Sequence, residues 1–370
     1  MMRKIKLIEP QIGEEELKRI SEVLKSGYLT EGPVTKQFEE KFAETVGANH
    51  AIAVCNCTVA LELALRGLKI GRGDEVIVPS FTHPATAQAV YWAGAEPVLV
   101  DVDINSYNID TAKIEDAITK KTKAVIPVSW GGNPLDPAAF AKLKDRYGLY
   151  IIEDSACSVG AEFNGKKTGS VADVSCFSLH PRKIITTGEG GMVTTNSDEW
   201  AEEMTSLKKF GEEVVDGRLT FKRIGTNYKL SNVVSAIGLA QLEKLPRILS
   251  RRIELAENYN RLLAKSKHVK APARDKKAKH VYQTYATYID VNGARDTVMK
   301  EMRAKGTEVQ IGTYALHLEP AFKETKRKGS LNNSEALFRN LLALPMAASM
   351  SLDDQKYVVS EVEQLVQRLS

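Results

Sequence analysis

Residues 50–195 alternate short apolar runs with stretches of helical periodicity, and this alternation limits the possible folds more than any other feature of the chain. The predicted strands are residues 50–55, 75–78, 97–101, 124–129, 149–153, 174–178 and 191–195. The predicted helices between them are residues 58–68, 84–93, 113–118 and 138–147. Repeated strand–helix units with continuous apolar strands are typical of an α/β fold, in which helices cover both faces of a mainly parallel sheet.

The pattern changes after residue 232, where helical periodicity extends over residues 233–245. We expect Pro246 to end that helix, because proline removes a backbone donor, and a second long helix to cover residues 248–264. A β-like segment at 282–291, a helix at 296–305 and a last helix from Asp353 follow. These features predict a large domain over residues 1–245 and a smaller α+β domain over residues 246–370.

Composition argues against several other classes of protein. The 51 basic and 47 acidic residues leave a net charge of +4 without a long basic run, which argues against nucleic-acid binding. No apolar run approaches the roughly 20 residues of a membrane span, and no apolar segment follows the charged first residues as in a signal peptide. Four cysteines in 370 residues do not make a disulfide framework, so we expect a cytoplasmic protein.

Ligands of open α/β sheets bind beyond the carboxyl ends of the parallel strands, so the segments that follow the apolar runs form the candidate site. Polar or reactive side chains fall there at residues 55–58, 153–154 and 178–183, and a further group precedes the 233–245 helix at residues 226–228. The turn after the first strand reads Cys-Asn-Cys-Thr-Val-Ala and lacks the G-x-G-x-x-G pattern of a nicotinamide site. The sequence therefore argues against a nicotinamide-dependent dehydrogenase.

Several motifs in this order and spacing carry a resemblance to one family. They are Gly-Asp-Glu-Val-Ile-Val-Pro-Ser-Phe-Thr at 73–82, Glu-Asp-Ser-Ala at 153–156, His-Pro-Arg-Lys at 180–183, Gly-Glu-Gly-Gly-Met at 188–192, Asn-Tyr at 227–228, Ile-Gly-Leu-Ala-Gln at 237–241 and Leu-Pro-Met at 344–346. Over nearly its whole length the chain resembles the pyridoxal-phosphate-dependent sugar aminotransferases of the DegT/DnrJ/EryC1/StrS type. The resemblance implies a pyridoxal 5′-phosphate cofactor and fold type I of these transferases, with a seven-stranded sheet flanked by helices.

The resemblance gives Lys183 the central role: its amine holds the cofactor covalently and later moves a proton between the substrate carbon and the cofactor. Lysine suits both tasks because it is a nucleophile whose pKa falls readily on burial; taken alone, it would be an ordinary surface lysine. Asp154 is implied to keep the ring nitrogen of the cofactor protonated, as a nearby buried carboxylate does. A helix-capping aspartate is the alternative, and Glu153 stays unassigned.

The phosphate of the cofactor is expected at the start of the 58–68 helix, where unpaired N–H groups attract anions. Cys57, Thr58 and Ser178 are the candidate contacts, although Thr58 also fits a plain helix cap. Relatives usually have glycine where Cys57 stands, so we expect its side chain to restrict the approach of the backbone to the phosphate. No second Cys or His pair stands at zinc-ligand spacing from Cys55 and Cys57, so no metal is expected.

Four further residues have implied roles with ordinary structural alternatives. His83 is implied to lie on the face of the pyridoxal ring, and a polar residue at a helix start is the alternative. Cys157 stands where many relatives carry Gln or His near the phenolic oxygen of the cofactor, but a thiol is a weak partner and simple packing is the alternative. Asn227 is implied to reach the phosphate of a neighbouring subunit, which makes a homodimer with shared active sites; a turn asparagine is the alternative. His317 matches a segment that borders the substrate pocket and is expected to contact the substrate.

The resemblance implies transfer of an amino group, usually from glutamate, to a keto group of a nucleotide-linked sugar. Cyclitol ketones remain alternative substrates. A related sugar dehydration uses His in place of the lysine, so Lys183 argues against that activity. A non-catalytic regulatory protein on the same scaffold would be expected to have a degraded site, whereas the site residues are present here.

Overall fold

The computed structural model describes residues 4–370, and the first three residues, on which part of the signal-peptide expectation rests, lie outside the described residues. Residues 4–370 form eleven α-helices and nineteen β-strands. The helices are α1 Glu14–Ser26, α2 Pro33–Val46, α3 Cys57–Gly67, α4 Pro84–Trp92, α5 Thr111–Ala117, α6 Pro137–Tyr147, α7 Asp198–Leu207, α8 Asn232–Leu263, α9 Ala294–Ala304, α10 Asn332–Asn340 and α11 Leu352–Leu369. The strands are β1 His50–Val54, β2 Glu75–Pro79, β3 Phe81–Thr82, β4 Glu96–Val100, β5 Thr122–Val125, β6 Tyr150–Asp154, β7 Glu162–Phe163, β8 Lys166–Lys167, β9 Val174–Ser178, β10 Gly191–Thr195, β11 Glu212–Val215, β12 Arg218–Phe221, β13 Val269–Lys270, β14 Ala278–Lys279, β15 Tyr285–Ile289, β16 Gln310–Ile311, β17 Tyr314–Ala315, β18 Lys326–Arg327 and β19 Leu341–Leu344.

The main sheet has eight strands in the order β1-β10-β9-β6-β5-β2-β4-β18. Strand β10 is antiparallel to its two neighbours, β1 and β9, and the other pairs in this sheet are parallel. Seven of the strands are those predicted from the sequence, and the eighth, β18, is a two-residue edge strand. The predicted mainly parallel α/β sheet is therefore confirmed, and the carboxyl ends of β1, β2, β6 and β9 meet at one edge.

Both faces of this sheet are apolar and covered by helices. Successive side chains of a strand point to opposite faces, so Val76 and Ile77 of β2 enter two different cores. Val76 packs with Leu61 of α3 and Met204 of α7 on one face. Ile77 packs with Phe140 of α6 on the other. This double burial explains why the strands appear in the sequence as continuous apolar runs.

Helix α8 continues through Pro246, so the prediction that the helix ends there is wrong. A proline in a helix interior removes a hydrogen bond at a cost of about 3 kcal/mol. The apolar residues on both sides of it, Leu242 and Leu245 before and Ile248 and Leu249 after, lie in one buried cluster. Burial of this shared apolar stripe holds the two halves of the helix in line despite the missing bond.

A second core surrounds the antiparallel sheet β13-β15-β19-β16. The end of α8, with α9 and α11, packs on this sheet through residues such as Tyr259, Val298 and Val362. Ile5 joins the same core and forms a bridge with Thr307. The strand and helices predicted after residue 280 are all present, within about three residues of their predicted starts. No helix between residues 4 and 370 combines the length and apolarity that a membrane crossing needs.

Candidate active site

Lys183 lies in the loop between β9 and β10, at the edge where the parallel strands end. The residues after it fold back on the strand end: the hydroxyl of Thr186 and the N–H of Thr187 donate to the carbonyl of Leu179, at 2.8 and 2.9 Å. Gly190 permits this tight fold, because an added Cβ would lie 2.4 Å from the hydroxyl oxygen of Thr187. The loop is therefore held rigidly by its own hydrogen bonds.

The amine of Lys183 donates a hydrogen bond to the thiol of Cys157, with an Nζ–Sγ distance of 3.2 Å. Burial by itself acts to lower the pKa of Lys183, but Cys157, Asp154 and Cys57 act in the opposite direction and outweigh it. The net pKa of Lys183 lies above the ordinary lysine value, which differs from the fall on burial expected from the sequence. Before the cofactor is attached, the amine of Lys183 is therefore mainly an ammonium ion at neutral pH.

Asp154 and Glu153 end β6 and, as neighbours on a strand, point to opposite faces of the sheet. Oδ2 of Asp154 accepts from the hydroxyl of Thr86 at 2.8 Å, and Oδ1 accepts from the N–H of Ala156 at 3.2 Å. Glu153 instead accepts from the hydroxyl of Ser129 and borders a cavity of about 270 Å³ beside α6. Burial raises the pKa of Glu153. Only the carboxylate of Asp154 faces the lysine.

The start of α3 leaves backbone donors free at the same edge. The side chain of Asn56 caps the helix by accepting from the N–H of Val59 at 3.0 Å. Within residues 4–370, the N–H groups of Cys57 and Thr58 have no acceptor. Gly191 of β10 packs closely against this turn. A Cβ at position 191 would lie only 2.5 Å from the carbonyl carbon of Asn56, so a side chain would not fit there. Free N–H groups at a helix start form an anion site.

Cys57 and Ser178 flank this anion site. Burial and then the charge of Asp154 raise the pKa of the Cys57 thiol well above its ordinary value, so the thiol is neutral. Ser178 is the last residue of β9, half-buried, and its hydroxyl accepts from the N–H of His180 at 3.4 Å. Its own hydrogen remains available for an anion.

Asn227 is exposed in the segment between β12 and α8. Backbone contacts hold this segment at two points: Asn227 forms a β-bridge with Lys209, and the carbonyl of Tyr228 accepts from the N–H of Cys55 at 3.0 Å. The Asn227 side chain accepts only a long bond, at 3.4 Å, from the N–H of Lys229. The structure therefore presents this amide at the surface, close in the chain fold to the turn that starts α3.

The two predicted histidines have different surroundings. His83 caps α4, and its Nδ1 accepts from the N–H of Ala85 at 3.2 Å. Partial burial and the nearby charge of Lys183 lower the pKa of His83, which keeps the imidazole neutral. His317 is buried, and its two ring nitrogens contact the hydroxyl of Ser80 at 2.7 Å and the carboxylate of Glu335 at 3.3 Å. His317 therefore contacts the connection between β2 and β3 through Ser80.

Two residues at this site were not predicted from the sequence. Thr86 donates to Asp154, and its hydroxyl lies 3.0 Å from that of Thr82. Both are buried. In the sequence, Thr86 is visible only as a hydroxyl residue on the first turn of α4. Its acceptor, Asp154, lies 68 residues away along the chain, so the sequence does not show that the two meet.

Together, an amine, a buried carboxylate and an open helix start lie at one edge of the sheet, and Cys57 is electrostatically coupled to both Lys183 and Asp154. These groups match the aldehyde, the ring nitrogen and the phosphate of pyridoxal 5′-phosphate. Asp154 accepts one hydrogen bond on each oxygen and keeps an acceptor position for a ring N–H. Among residues 4–370, no group of three or more His, Cys, Asp or Glu residues is arranged to hold a metal ion.

Comparison with known proteins agrees with this chemistry. The chain matches the DegT/DnrJ/EryC1/StrS aminotransferase family over residues 10–363. It is 37% identical to GDP-perosamine synthase of Caulobacter vibrioides, with 98% of each chain covered. The putative sugar aminotransferase Spr1654 of Streptococcus pneumoniae, solved in its PMP form, superposes with a TM-score of 0.94 at 26% identity over 99% of this chain and 98% of that one. The aminotransferase TlmJ of Streptoalloteichus hindustanus superposes with a TM-score of 0.93 at 32% identity over 100% of both chains. The chain therefore belongs to the DegT/DnrJ/EryC1/StrS aminotransferase family and is a pyridoxal-phosphate-dependent aminotransferase.

Proposed function

We propose that this aminotransferase moves an amino group from glutamate to a keto group of a nucleotide-linked sugar. The observation that carries the proposal is the convergence of the Lys183 amine, the Asp154 carboxylate and the open start of α3 at one sheet edge. The substrate class is supported by the 37% identity to GDP-perosamine synthase, whose name gives a nucleotide-linked sugar as its product.

In the proposed mechanism, the bound cofactor supplies an electron sink next to the substrate carbon. Lys183 holds the cofactor, and its released amine takes the proton from the substrate carbon that bears the nitrogen. Asp154 keeps a proton on the ring nitrogen by presenting a charged acceptor in a buried site. Cys157 holds the free amine of Lys183 by the contact seen at 3.2 Å.

The remaining site residues bind and orient the cofactor in this proposal. The N–H groups of Cys57 and Thr58, with the hydroxyl of Ser178, hold the phosphate at the start of α3. His83, neutral because its pKa is lowered, lies against the ring face. His317, which is held by its contact with the hydroxyl of Ser80, lies beside the pocket and contacts the substrate in this proposal.

We also propose that the enzyme is a homodimer in which Asn227 binds the phosphate of the partner's site. Two groups of exposed apolar side chains support an interface near Asn227. The first group belongs to the end of α1 and the turn after it and consists of Leu24, Tyr28 and Leu29. The second belongs to the β11–β12 hairpin and the segment that follows and consists of Val214, Leu219, Phe221 and Ile224. The amide of Asn232 donates to the carbonyl of Tyr28, which joins the first group to the segment that carries Asn227. Clustered exposed apolar side chains are typical of interaction sites, which supports a partner subunit here.

The domain division and the location of the protein are part of the same proposal. Apolar residues of α8 change from one core to the other between Leu249 and Leu255, which supports a boundary near residue 246 between domains 1–245 and 246–370. The four cysteines are free thiols, which supports a reducing, cytoplasmic location.

The test is to incubate the purified enzyme with glutamate and a panel of nucleotide-linked keto sugars, with cyclitol ketones as the competing class. Mass spectrometry should detect an amino sugar and 2-oxoglutarate in equal amounts. A Lys183→Ala variant is the matched control and should form neither. Amination of cyclitol ketones in the absence of any nucleotide-sugar product would contradict the proposed substrate class.

A further inference from the structure

The hydroxyl groups of Thr82 and Thr86 form a buried chain that ends on Asp154. The Thr86 oxygen lies 2.8 Å from Oδ2 of Asp154 and 3.0 Å from the oxygen of Thr82. The relative exposures of Thr82, Thr86 and Asp154 are 1%, 0% and 5%, so water does not compete for these bonds. Such a chain orders the groups at its end more firmly than an exposed contact does.

The direction of each bond follows from the available hydrogens. A carboxylate only accepts, so Thr86 donates to Asp154. A hydroxyl has one hydrogen, so Thr82 must donate to Thr86. The N–H of Ala156 donates to the other carboxylate oxygen at 3.2 Å. The plane of the carboxylate is thereby fixed from two sides.

The far end of the chain is anchored outside the site. Thr82 belongs to β3, which pairs with β17, and its register partner is Tyr314. Two residues earlier, the hydroxyl of Ser80 contacts Nδ1 of His317 at 2.7 Å, and the carbonyl of Ser80 accepts from the N–H of Leu316 at 2.8 Å. The position of Thr82, and through it that of Thr86, is therefore set by a segment more than 220 residues away along the chain.

We propose that Thr86 is a positioning residue for transamination: it orients the Asp154 carboxylate toward the ring nitrogen of the cofactor. This inference rests on the proposed role of Asp154. Hydrogen bonds donated to a carboxylate favour its ionised state, and a fixed plane keeps the free lone pair aimed at one point. The titratable groups that face Asp154 are Lys183, His83, Cys57 and Cys176. Lys183 is the cation among them, and its amine donates to Cys157, so Thr86 supplies the side-chain hydrogen bond.

The test uses the full-length enzyme loaded with pyridoxal 5′-phosphate that carries ¹⁵N at its ring nitrogen. The ¹⁵N chemical shift reports the protonation of that nitrogen across a pH series. Thr86→Val is nearly isosteric and removes the hydroxyl. We expect its ring nitrogen to lose the proton about one pH unit lower, and its cofactor affinity to fall about tenfold to a hundredfold, the range for one hydrogen bond to a charged group.

Three matched variants separate positioning from folding. Thr86→Ser keeps the donor and should titrate like the wild type. Thr287→Val removes an equally buried hydroxyl, which donates to the carbonyl of Leu342, and should lower stability without moving the titration. Thr82→Val removes the donor to Thr86 and should move the titration of the ring nitrogen in the same direction, but by less. If Thr86→Val does not fold, the titration of Thr82→Val tests the positioning role instead.

Different results would overturn the role of Thr86 and the proposed role of Asp154. An unchanged titration and unchanged cofactor affinity in Thr86→Val, or in Thr82→Val if the former does not fold, would overturn the positioning role. A wild-type ring nitrogen that is unprotonated at neutral pH would instead contradict the role of Asp154 itself.

Discussion

The amine of Lys183 lies 3.2 Å from the thiol of Cys157 and donates a hydrogen bond to it. The family resemblance implies Gln or His at the position of Cys157 in many relatives, so a thiol contact here departs from that pattern. Cys157 is also the strongest of the groups that oppose the effect of burial on the pKa of Lys183. The contact therefore links a departure from the family pattern to the protonation of the residue proposed to hold the cofactor.

Replacement of Cys157 by alanine should lower the pKa of Lys183, because burial is then opposed by fewer groups. The unprotonated amine, which is the form that reacts with an aldehyde, should then appear at lower pH. The rate at which the cofactor-stripped protein captures pyridoxal 5′-phosphate should reach half its maximum at lower pH than in the wild type. Stopped-flow absorbance over a pH series measures this midpoint.

Cys55→Ala is the matched control, because Cys55 is a half-buried free thiol that does not act on the pKa of Lys183. Its midpoint should equal that of the wild type. A midpoint that stays unchanged or rises in Cys157→Ala would show that the thiol does not stabilise the ammonium form.

Asp154→Asn should retain the fold and lose transamination by at least about a hundredfold, the lower range for loss of an acid–base function. The amide is nearly isosteric and its oxygen can still accept from Thr86, but it carries no charge to keep the ring nitrogen protonated. The rate of conversion of glutamate to 2-oxoglutarate and the thermal midpoint measure the two effects separately.

Glu153→Gln is the control for Asp154→Asn, since Glu153 ends the same strand but faces the opposite side of the sheet. Burial raises the pKa of Glu153, and a neutral amide can still accept from Ser129, so this variant should be much less impaired. The reverse ranking of the two variants would mean that the wrong carboxylate has been assigned.

The sheet was largely predictable from the sequence because its seven main strands are short, mostly buried segments with turn or loop residues after them. Predicted strands 174–178 and 191–195 match β9 and β10 in both bounds. Apart from the helix expected at 248–264, the predicted helices begin within about two residues of the observed ones, and side-chain caps such as Asn56 and Asp136 stand at these starts. These signals are local, and local signals are what a single sequence contains.

Other features depend on contacts that the sequence does not display. Pro246 should have ended a helix, and only the shared burial of residues on both sides of it keeps α8 whole. Helix α1 was not predicted. Its Glu16 is buried against Lys244, while its Leu17 and Leu24 are exposed. The polar and apolar residues of this helix therefore do not show the usual pattern of an apolar face buried in the core of the same chain. The Thr86–Asp154 bond joins residues 68 positions apart and has no signature in either motif.

The shared site predicts that two inactive variants restore activity when they are mixed. In a hybrid of Lys183→Ala and Asn227→Ala chains, both lesions fall in one site and the other site is intact. Random exchange makes half of the dimers hybrids, so about a quarter of wild-type sites should be recovered. Sedimentation should show a dimer throughout, and each variant alone must first be shown to be inactive. Chains that exchange and yet recover no activity would place Asn227 outside the partner's site.

Reduction of the cofactor-loaded enzyme with borohydride tests whether Lys183 is the residue that holds the cofactor. Borohydride makes the link between the cofactor and its lysine irreversible, and peptide mapping by mass spectrometry then identifies the residue. We predict that the cofactor is found on the peptide that contains Lys183, and that Lys183→Ala yields no labelled peptide. Label on any other lysine of the wild-type chain, such as the exposed Lys166 or Lys167, would contradict the account.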